Sequence, residues 1–293
     1  MGLPMDLAFY EVTQTLVPSW EQLENLARRS GPPDALVLVH YFGFPNDLAG
    51  ADSFCRRVGA ILIEDCAHLL PGASALGTLG SFAIFSPWKV LATPMLGVLT
   101  GAKEYERFIA APPLHRAVGA TARWYAKRLA QRALIGLQFN WYARASFSTK
   151  RLGSSWAAAA HAAVWWYERA LATVESVARQ RIQNYQYLAS KLAGASGKFF
   201  LDALPLNVIP YAFPYLLSAS VSQGVRKLRQ KGIPCSTWPE LPQQVKSDPK
   251  ARVARDFADR LVLLPIHQNV KPRQVHEMAE IVRQTLSHEQ RGA

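Results

Sequence analysis

Two continuous apolar runs constrain this chain more than any other feature: Ala35 to His40 (ALVLVH) and Ala60 to Glu64 (AILIE). A strand whose successive side chains are all apolar is suited to burial on both faces, which crossover helices provide in a parallel sheet. The flanking segments fit such helices. Trp20 to Arg29 puts Leu23 and Leu26 on one face, with Ser19 at the N-cap position, and Ala49 to Val58 fits a second helix. Phe82 to Phe85 (FAIF) and Gly97 to Thr100 read as a third and a fourth strand, and Leu7 to Val12 as one more at the start. Strands alternating with helices imply parallel crossovers, hence an α/β sheet.

The texture changes further on. Residues 102 to 165 read as mostly helical and irregular. Trp166 to Leu192 reads as one long helix, with Ala170, Val174, Val177, Ile182, Tyr185 and Leu188 near one face. Beyond Lys198, short strand-like runs at Asn207 to Ile209 and Tyr215 to Ser218 precede a helix over Val221 to Gln230, which Gly232 ends. Ile233 to Ser236 reads as another strand. Arg252 to Arg260 and Pro272 to Ser287 read as closing helices. The expected division is a large domain over 1–165, then a connecting helix and a small α/β domain over 166–293.

The 293 residues are 49% hydrophobic and 18% charged, which suits a buried core and excludes a disordered chain. Cys55, Cys66 and Cys235 are scattered, with no C-x-x-C pair or Cys/His cluster to suggest a metal, so a reducing cytoplasm is expected. Met1 to Tyr10 lacks the basic-then-apolar pattern of a signal peptide, and no run reads as a spanning helix. The net charge of +12 is local: Arg107 to Tyr167 has no Asp or Glu, and interleaves Arg116, Arg123, Lys127, Arg128 and Arg132 with Trp124, Tyr125 and Trp141. Such a segment suits an anionic substrate, an anionic membrane surface or a solvated helix face. No nucleic-acid-binding motif accompanies it, and none is expected.

Open α/β sheets place ligands past the carboxyl ends of strands. Two chemically rich stretches stand there: Glu64-Asp65-Cys66-Ala67-His68 after AILI, and Ser86-Pro87-Trp88-Lys89 after FAIF. Together they suit pyridoxal 5'-phosphate. Lys89 supplies an amine for a Schiff base, and a partly desolvated site helps it shed its proton. Asp65 supplies a carboxylate that keeps a pyridine nitrogen protonated. Ser86 supplies a hydroxyl to a phosphate, which backbone N–H groups also favour. Plainer readings stay open: a cap for Asp65, packing for His68, a structural hydroxyl for Ser86, wall or core for Trp88.

These residues carry a resemblance. Val39-His40-Tyr41-Phe42-Gly43, Ile63 to His68 and Gly77 to Lys89 resemble the motifs of the DegT/DnrJ/EryC1/StrS family of sugar aminotransferases. So do Arg181-Ile-Gln-Asn184-Tyr185, Pro210 to Pro214, Gly232-Ile-Pro, Thr237-Trp238-Pro239 and Leu264-Pro-Ile-His267. The resemblance implies the pyridoxal-phosphate transferase fold type I. It expects a mostly parallel large domain, incomplete at the N-terminus because the chain enters at the strand Ala8 to Val12, and a small C-terminal α/β domain. It implies that Lys89 is attachment point and proton shuttle, Asp65 pairs with the pyridine nitrogen, His68 sits near the ring or its 3-hydroxyl, and Ser86 meets the phosphate. His40 and His267 are further candidates for substrate contact. Glutamate as amino donor, a keto-sugar nucleotide as acceptor and a homodimer are implied too. The chain departs from the family at Ser81, Met95 and Leu96, where acidic residues or glycine are common. A second reading is therefore kept: a catalytically impaired, truncated paralogue acting as a binding or partner subunit.

Overall fold

The structure is a computed structural model. It describes residues 6–70, 77, 79–93, 96–101, 122, 126 and 160–289, apart from 196, 200, 202, 207, 219, 220 and 239. Helix α1 (Trp20–Ser30) leads into strand β1 (Ala35–Val39), helix α2 (Leu48–Val58) and strand β2 (Ile61–Cys66). Strands β3 (Phe82–Phe85) and β4 (Val98–Gly101) complete a sheet of order β1-β2-β3-β4. Ser19 stands at the α1 N-cap but makes no side-chain cap bond, whereas Asp47 caps α2 by accepting from Gly50 N–H at 3.0 Å.

Strands β1, β2 and β3 are parallel, as the apolar runs imply, but β4 pairs antiparallel with β3. A parallel return needs a crossover, usually a helix. Among the described residues between β3 and β4, the one regular element is the 3-10 turn Pro87–Lys89, so the chain reverses instead. One face of the sheet buries Leu36, Leu38, Leu62, Ala83 and Phe85; its β1–β2 part packs on Leu23, Ala51 and Phe54 of the two helices. The other face is open, contrary to burial on both: Val37 is 46%, Ile84 44% and Leu99 53% exposed.

Residues 7–12 form no strand, only a bridge between Val12 and Pro18. They still serve the outer edge of β1. The Tyr10 hydroxyl donates to Val37 C=O at 2.9 Å, and Asn46 Nδ2 donates to Val39 C=O at 3.0 Å. Two side chains thus satisfy carbonyls that a neighbouring strand would otherwise take, and blunt an edge prone to unwanted pairing.

The long helix expected over Trp166 to Leu192 is two, α3 (Ala160–Leu171) and α4 (Val174–Leu192). Thr173 breaks it, donating both its N–H and its hydroxyl to Ala170 C=O, at 2.9 and 2.7 Å. Most of the basic stretch over 107–167 lies outside the described residues. No described helix is long and apolar enough to cross a membrane.

A second, fully antiparallel sheet has the order β5 (Lys198–Phe199), β6 (Phe213–Leu216), β8 (Leu261–Leu264), β7 (Ser236–Thr237). Helices α5 (Val221–Gln230), α6 (Gln243–Ser247), α7 (Arg252–Arg260) and α8 (Pro272–Glu289) accompany it. Val208 and Ile209 are not strand, and the run expected at Ile233 to Ser236 pairs only at its end. The core here joins Leu188, Leu192, Phe213, Leu228, Phe257, Val262 and Val282, and extends to Phe42 and Phe44 from the turn after β1. Gly43 allows that approach: it has φ +88°, and a Cβ would meet Ile209 C=O at 2.5 Å.

At the end of β2, Glu64 is buried yet fully engaged. Its carboxylate accepts from Gly77 N–H at 2.8 Å, Leu79 N–H at 3.2 Å, Gly80 N–H at 2.7 Å and His40 Nε2 at 3.2 Å. Burial pushes this carboxyl up, but the bonds from His40, Gly80 and Gly77 outweigh it and hold it below the usual range. His40, a candidate for substrate contact, is 0% exposed. Its Nδ1 accepts from Asn46 N–H at 3.0 Å. With both nitrogens committed it braces the strand ends and has none left for a substrate. The Cys66 thiol lies close to both, but burial pushes it up to about 12, and the carboxylate's bonding capacity is already used. His40 and Glu64 form a hydrogen-bonded brace, and with Cys66 beside them they are not a built metal site.

Two measurements test this framework. Glu64→Gln turns an amide N–H toward backbone donors, so a melt at pH 7 is expected to show a loss of about 3 kcal/mol, in line with one or two buried donors left unpaired. Because the folded carboxyl is depressed, its contribution is full above the unfolded value of about 4.3 and is lost as pH falls through the folded value. The gap between wild type and variant therefore narrows in acid; a gap constant with pH would contradict the brace. Leu38→Ala is expected to cost about 2–5 kcal/mol, and Ile84→Thr less than about 1. Ile84→Thr should also lower binding of a hydrophobic dye. Equal costs would mean the outer sheet face is covered.

Candidate active site

The register levels Asp65 of β2 with Val39 of β1 and Ile84 of β3. Ser86 then follows two residues past Ile84, and the 3-10 turn Pro87–Lys89 brings the lysine back over the strand ends. The turn is fixed by Lys89 N–H and Val90 N–H, which donate to Ser86 C=O and Pro87 C=O, each at 3.0 Å. Val90 and Leu91 then bury against Leu70, Ala170 and Val177.

Lys89 is half-buried, and its ammonium makes no hydrogen bond or ion pair within reach among the described residues. Burial lowers its proton affinity below the ordinary lysine value, and the Asp65 carboxylate opposes this only in part. Asp65 accepts from Ala67 N–H at 3.0 Å through Oδ1, and its other oxygen accepts no hydrogen bond among the described residues. Its charge is felt by Tyr41, whose hydroxyl burial chiefly pushes up to about 12.

His68 lies beside two aromatic rings. Tyr211 stacks on it at 4.4 Å and 8°, and Phe42 is near-parallel to it at 6.2 Å and 16°. Phe42 N–H donates weakly to His68 Nδ1 at 3.4 Å, so the ring proton belongs on Nε2. Burial, aided by Lys89, lowers His68 to about 4, so it is neutral at pH 7. The Tyr211 ring occupies one face of the imidazole. Phe42 stands in the left-handed region at φ 57° and ψ 20°, a strained position for an aromatic residue. Trp238 covers Tyr41 at 5.4 Å and Phe42 at 5.5 Å.

The structure therefore gathers Asp65, His68 and Lys89 in one crevice, with Ser86 beside the lysine turn and its hydroxyl unengaged among the described residues. His267 stands on a neighbouring loop, where its Nδ1 accepts from Asn269 N–H at 3.2 Å. These residues fit pyridoxal phosphate: an amine not otherwise engaged, a carboxylate with an oxygen to spare, a free hydroxyl, and a neutral imidazole edge. Sequence reasoning missed Gln268, which carried no motif, and gave no role to Tyr211 or Arg181, although both stand in stretches quoted for the resemblance. Arg181, Asn184, Tyr185 and Leu188 follow the helical period, so a cation was written onto the buried face of α4.

Comparison with known proteins agrees with this fold. The chain is 26% identical over 310 residues to a dTDP-4-dehydro-2,3,6-trideoxy-D-glucose 4-aminotransferase of Saccharopolyspora spinosa, covering 94% of this chain and 71% of that protein. It is 22% identical to a UDP-N-acetyl-3-dehydro-alpha-D-glucosamine 3-aminotransferase of Acidithiobacillus ferrooxidans, covering 86% of this chain and 64% of that one. The fold matches the crystal structure of the aminotransferase TlmJ of Streptoalloteichus hindustanus with a TM-score of 0.67 at 21% identity, over 97% of this chain and 74% of that one. The profile of the DegT/DnrJ/EryC1/StrS aminotransferase family spans residues 8–283, and the chain belongs to that family.

Proposed function

We propose that this chain binds pyridoxal phosphate through Lys89 and transfers an amino group, with glutamate as donor, to a keto-sugar nucleotide. The observation that carries this reading is the Lys89 amine, half-buried and unpaired among the described residues, facing Asp65 and a neutral His68. The cofactor, when bound, supplies an electron sink for the carbanion formed at the donor's Cα. The chain's residues do the rest. Asp65 holds a positive charge at the pyridine nitrogen. Ser86 Oγ donates to the phosphate. His68, neutral, offers Nε2–H to an oxygen at the ring edge. Lys89, with its proton affinity lowered by burial, would take up the proton released at the donor's Cα in the first half-reaction and would deliver one to the carbon that gains the amine in the second. The aromatic cluster of Tyr41, Phe42 and Trp238, which reaches His68 through Phe42, would limit water beside that residue.

The activities of the two relatives support this substrate class, and polysaccharide or secondary-metabolite biosynthesis is its natural setting. A cytoplasmic homodimer is the assembly we favour, with the acid-free stretch over 107–167 adding weak affinity for anionic substrates or lipid. A second reading is a non-catalytic partner subunit. One observation favours it: the open apolar sheet face at Val37, Ile84 and Leu99 leaves a surface for another chain.

The test is direct. Purified protein mixed with pyridoxal phosphate should develop the visible band of the lysine-bound cofactor, and borohydride should fix the adduct on Lys89 in peptide mass spectra. Glutamate should bleach that band, and Lys89→Arg should lower amino transfer by at least about a hundredfold. An adduct on Lys89 that glutamate never bleaches would favour the partner-subunit reading. Absence of an adduct, or one on another lysine, would overturn the proposed chemistry.

A further inference from the structure

Behind the crevice lies a guanidinium that touches both of its walls. Arg181 of α4 is 1% exposed, and no carboxylate pairs with it among the described residues. Its Nη1 donates to Tyr211 C=O at 2.7 Å and to Pro210 C=O at 3.4 Å. Its Nε donates to Gln268 Oε1 at 3.1 Å. Gln268 in turn donates from Nε2 to Val90 C=O at 3.0 Å, the residue next to Lys89. One arm of Arg181 thus ends on the lysine turn. The other ends on the residue whose ring stacks on His68 at 4.4 Å.

We infer that Arg181 is a positioning residue, setting the separation of Lys89 and His68 through Gln268–Val90 on one side and Tyr211 on the other. Three features of the chain support the assignment. Tyr211 N–H donates to Phe42 C=O at 2.7 Å, so the Tyr211 arm also fixes the strained Phe42 that backs His68. Val177, one turn before Arg181 on α4, packs against Val90 and Leu91, so the same helix grips the lysine turn by apolar contact as well. Asn184, one turn after, donates to Ile266 C=O and His267 C=O, both at 3.3 Å, and so holds the loop that carries Gln268. A buried cation needs polar partners, and here each is a group whose place matters to the crevice. A merely structural arginine would need no such choice of partners.

The inference rests on Lys89 being the attachment lysine, and its test is chosen to fail separately. The full chain without cofactor is labelled with trace acetic anhydride across pH, and the acetylation of Lys89 is read by mass spectrometry. Wild type should give a midpoint below that of the exposed lysines. Gln268→Ala and Gln268→Glu both remove the donor to Val90 C=O, and the glutamate keeps a partner for Arg181. Both should raise the Lys89 midpoint and slow its labelling at pH 8 by roughly threefold, about half a pKa unit. Arg181→Lys, if it folds, should do the same and also shift the His68 titration; if it does not fold, the glutamine variants decide. Folded glutamine variants whose Lys89 titrates as in wild type would overturn the inference, leaving Arg181 a structural residue. A missing borohydride adduct in wild type would instead overturn the proposed function.

Discussion

Arg181 is a cation taken out of water with no described carboxylate beside it, and burial draws its guanidinium down to about 10. Such a group is tolerable only if other polar atoms replace its hydration shell. The Tyr211, Pro210 and Gln268 oxygens do so, with the Tyr211 ring within 6.0 Å. They come from two separated stretches of chain, so satisfying one side chain fixes how the connecting helix, the 208–212 segment and the 266–270 loop meet. The lysine turn is drawn into that arrangement through Val90. Removing the charge would leave unpaired carbonyls; removing a carbonyl partner would leave an unpaired charge. The cost of either error is what makes the geometry specific.

The same scarcity of countercharge shapes the crevice. Lys89 and His68 are both partly desolvated; burial and then the lysine's charge keep His68 neutral, and burial makes Lys89 shed its proton more readily than an exposed lysine. The Asp65 carboxylate tempers the effect on Lys89, and it also raises the neighbouring Tyr41 hydroxyl. A carbonyl-reactive amine and a neutral hydrogen-bond donor are therefore products of burial rather than of any exotic residue.

Much of this was legible in the sequence. The apolar runs announced the parallel strands, and Asp65, His68, Ser86 and Lys89 stand at strand ends where such sheets place ligands. Other features were hidden for identifiable reasons. The reversal at β4 depends on the lack of a crossover helix, which a short run of residues cannot declare. The break at Thr173 depends on a hydroxyl competing for a helix carbonyl. The short strand Leu261–Leu264 follows α7 without a turn signal, and the brace of His40 on Glu64 joins residues 24 apart that only the strand register brings level. Tyr10 at the edge of β1 is the same lesson: a segment read as a strand serves the sheet through one hydroxyl.

The central claim is that the crevice is desolvated and that His68 inside it is neutral, stacked on Tyr211 beside Lys89. Histidine ring NMR across pH addresses it most directly, with the resonance assigned by loss in His68→Gln. The account predicts a ring that carries its proton on Nε2 and titrates near pH 4. A His68 that titrates near the ordinary value of about 6.5 would show an open, hydrated crevice and would contradict it.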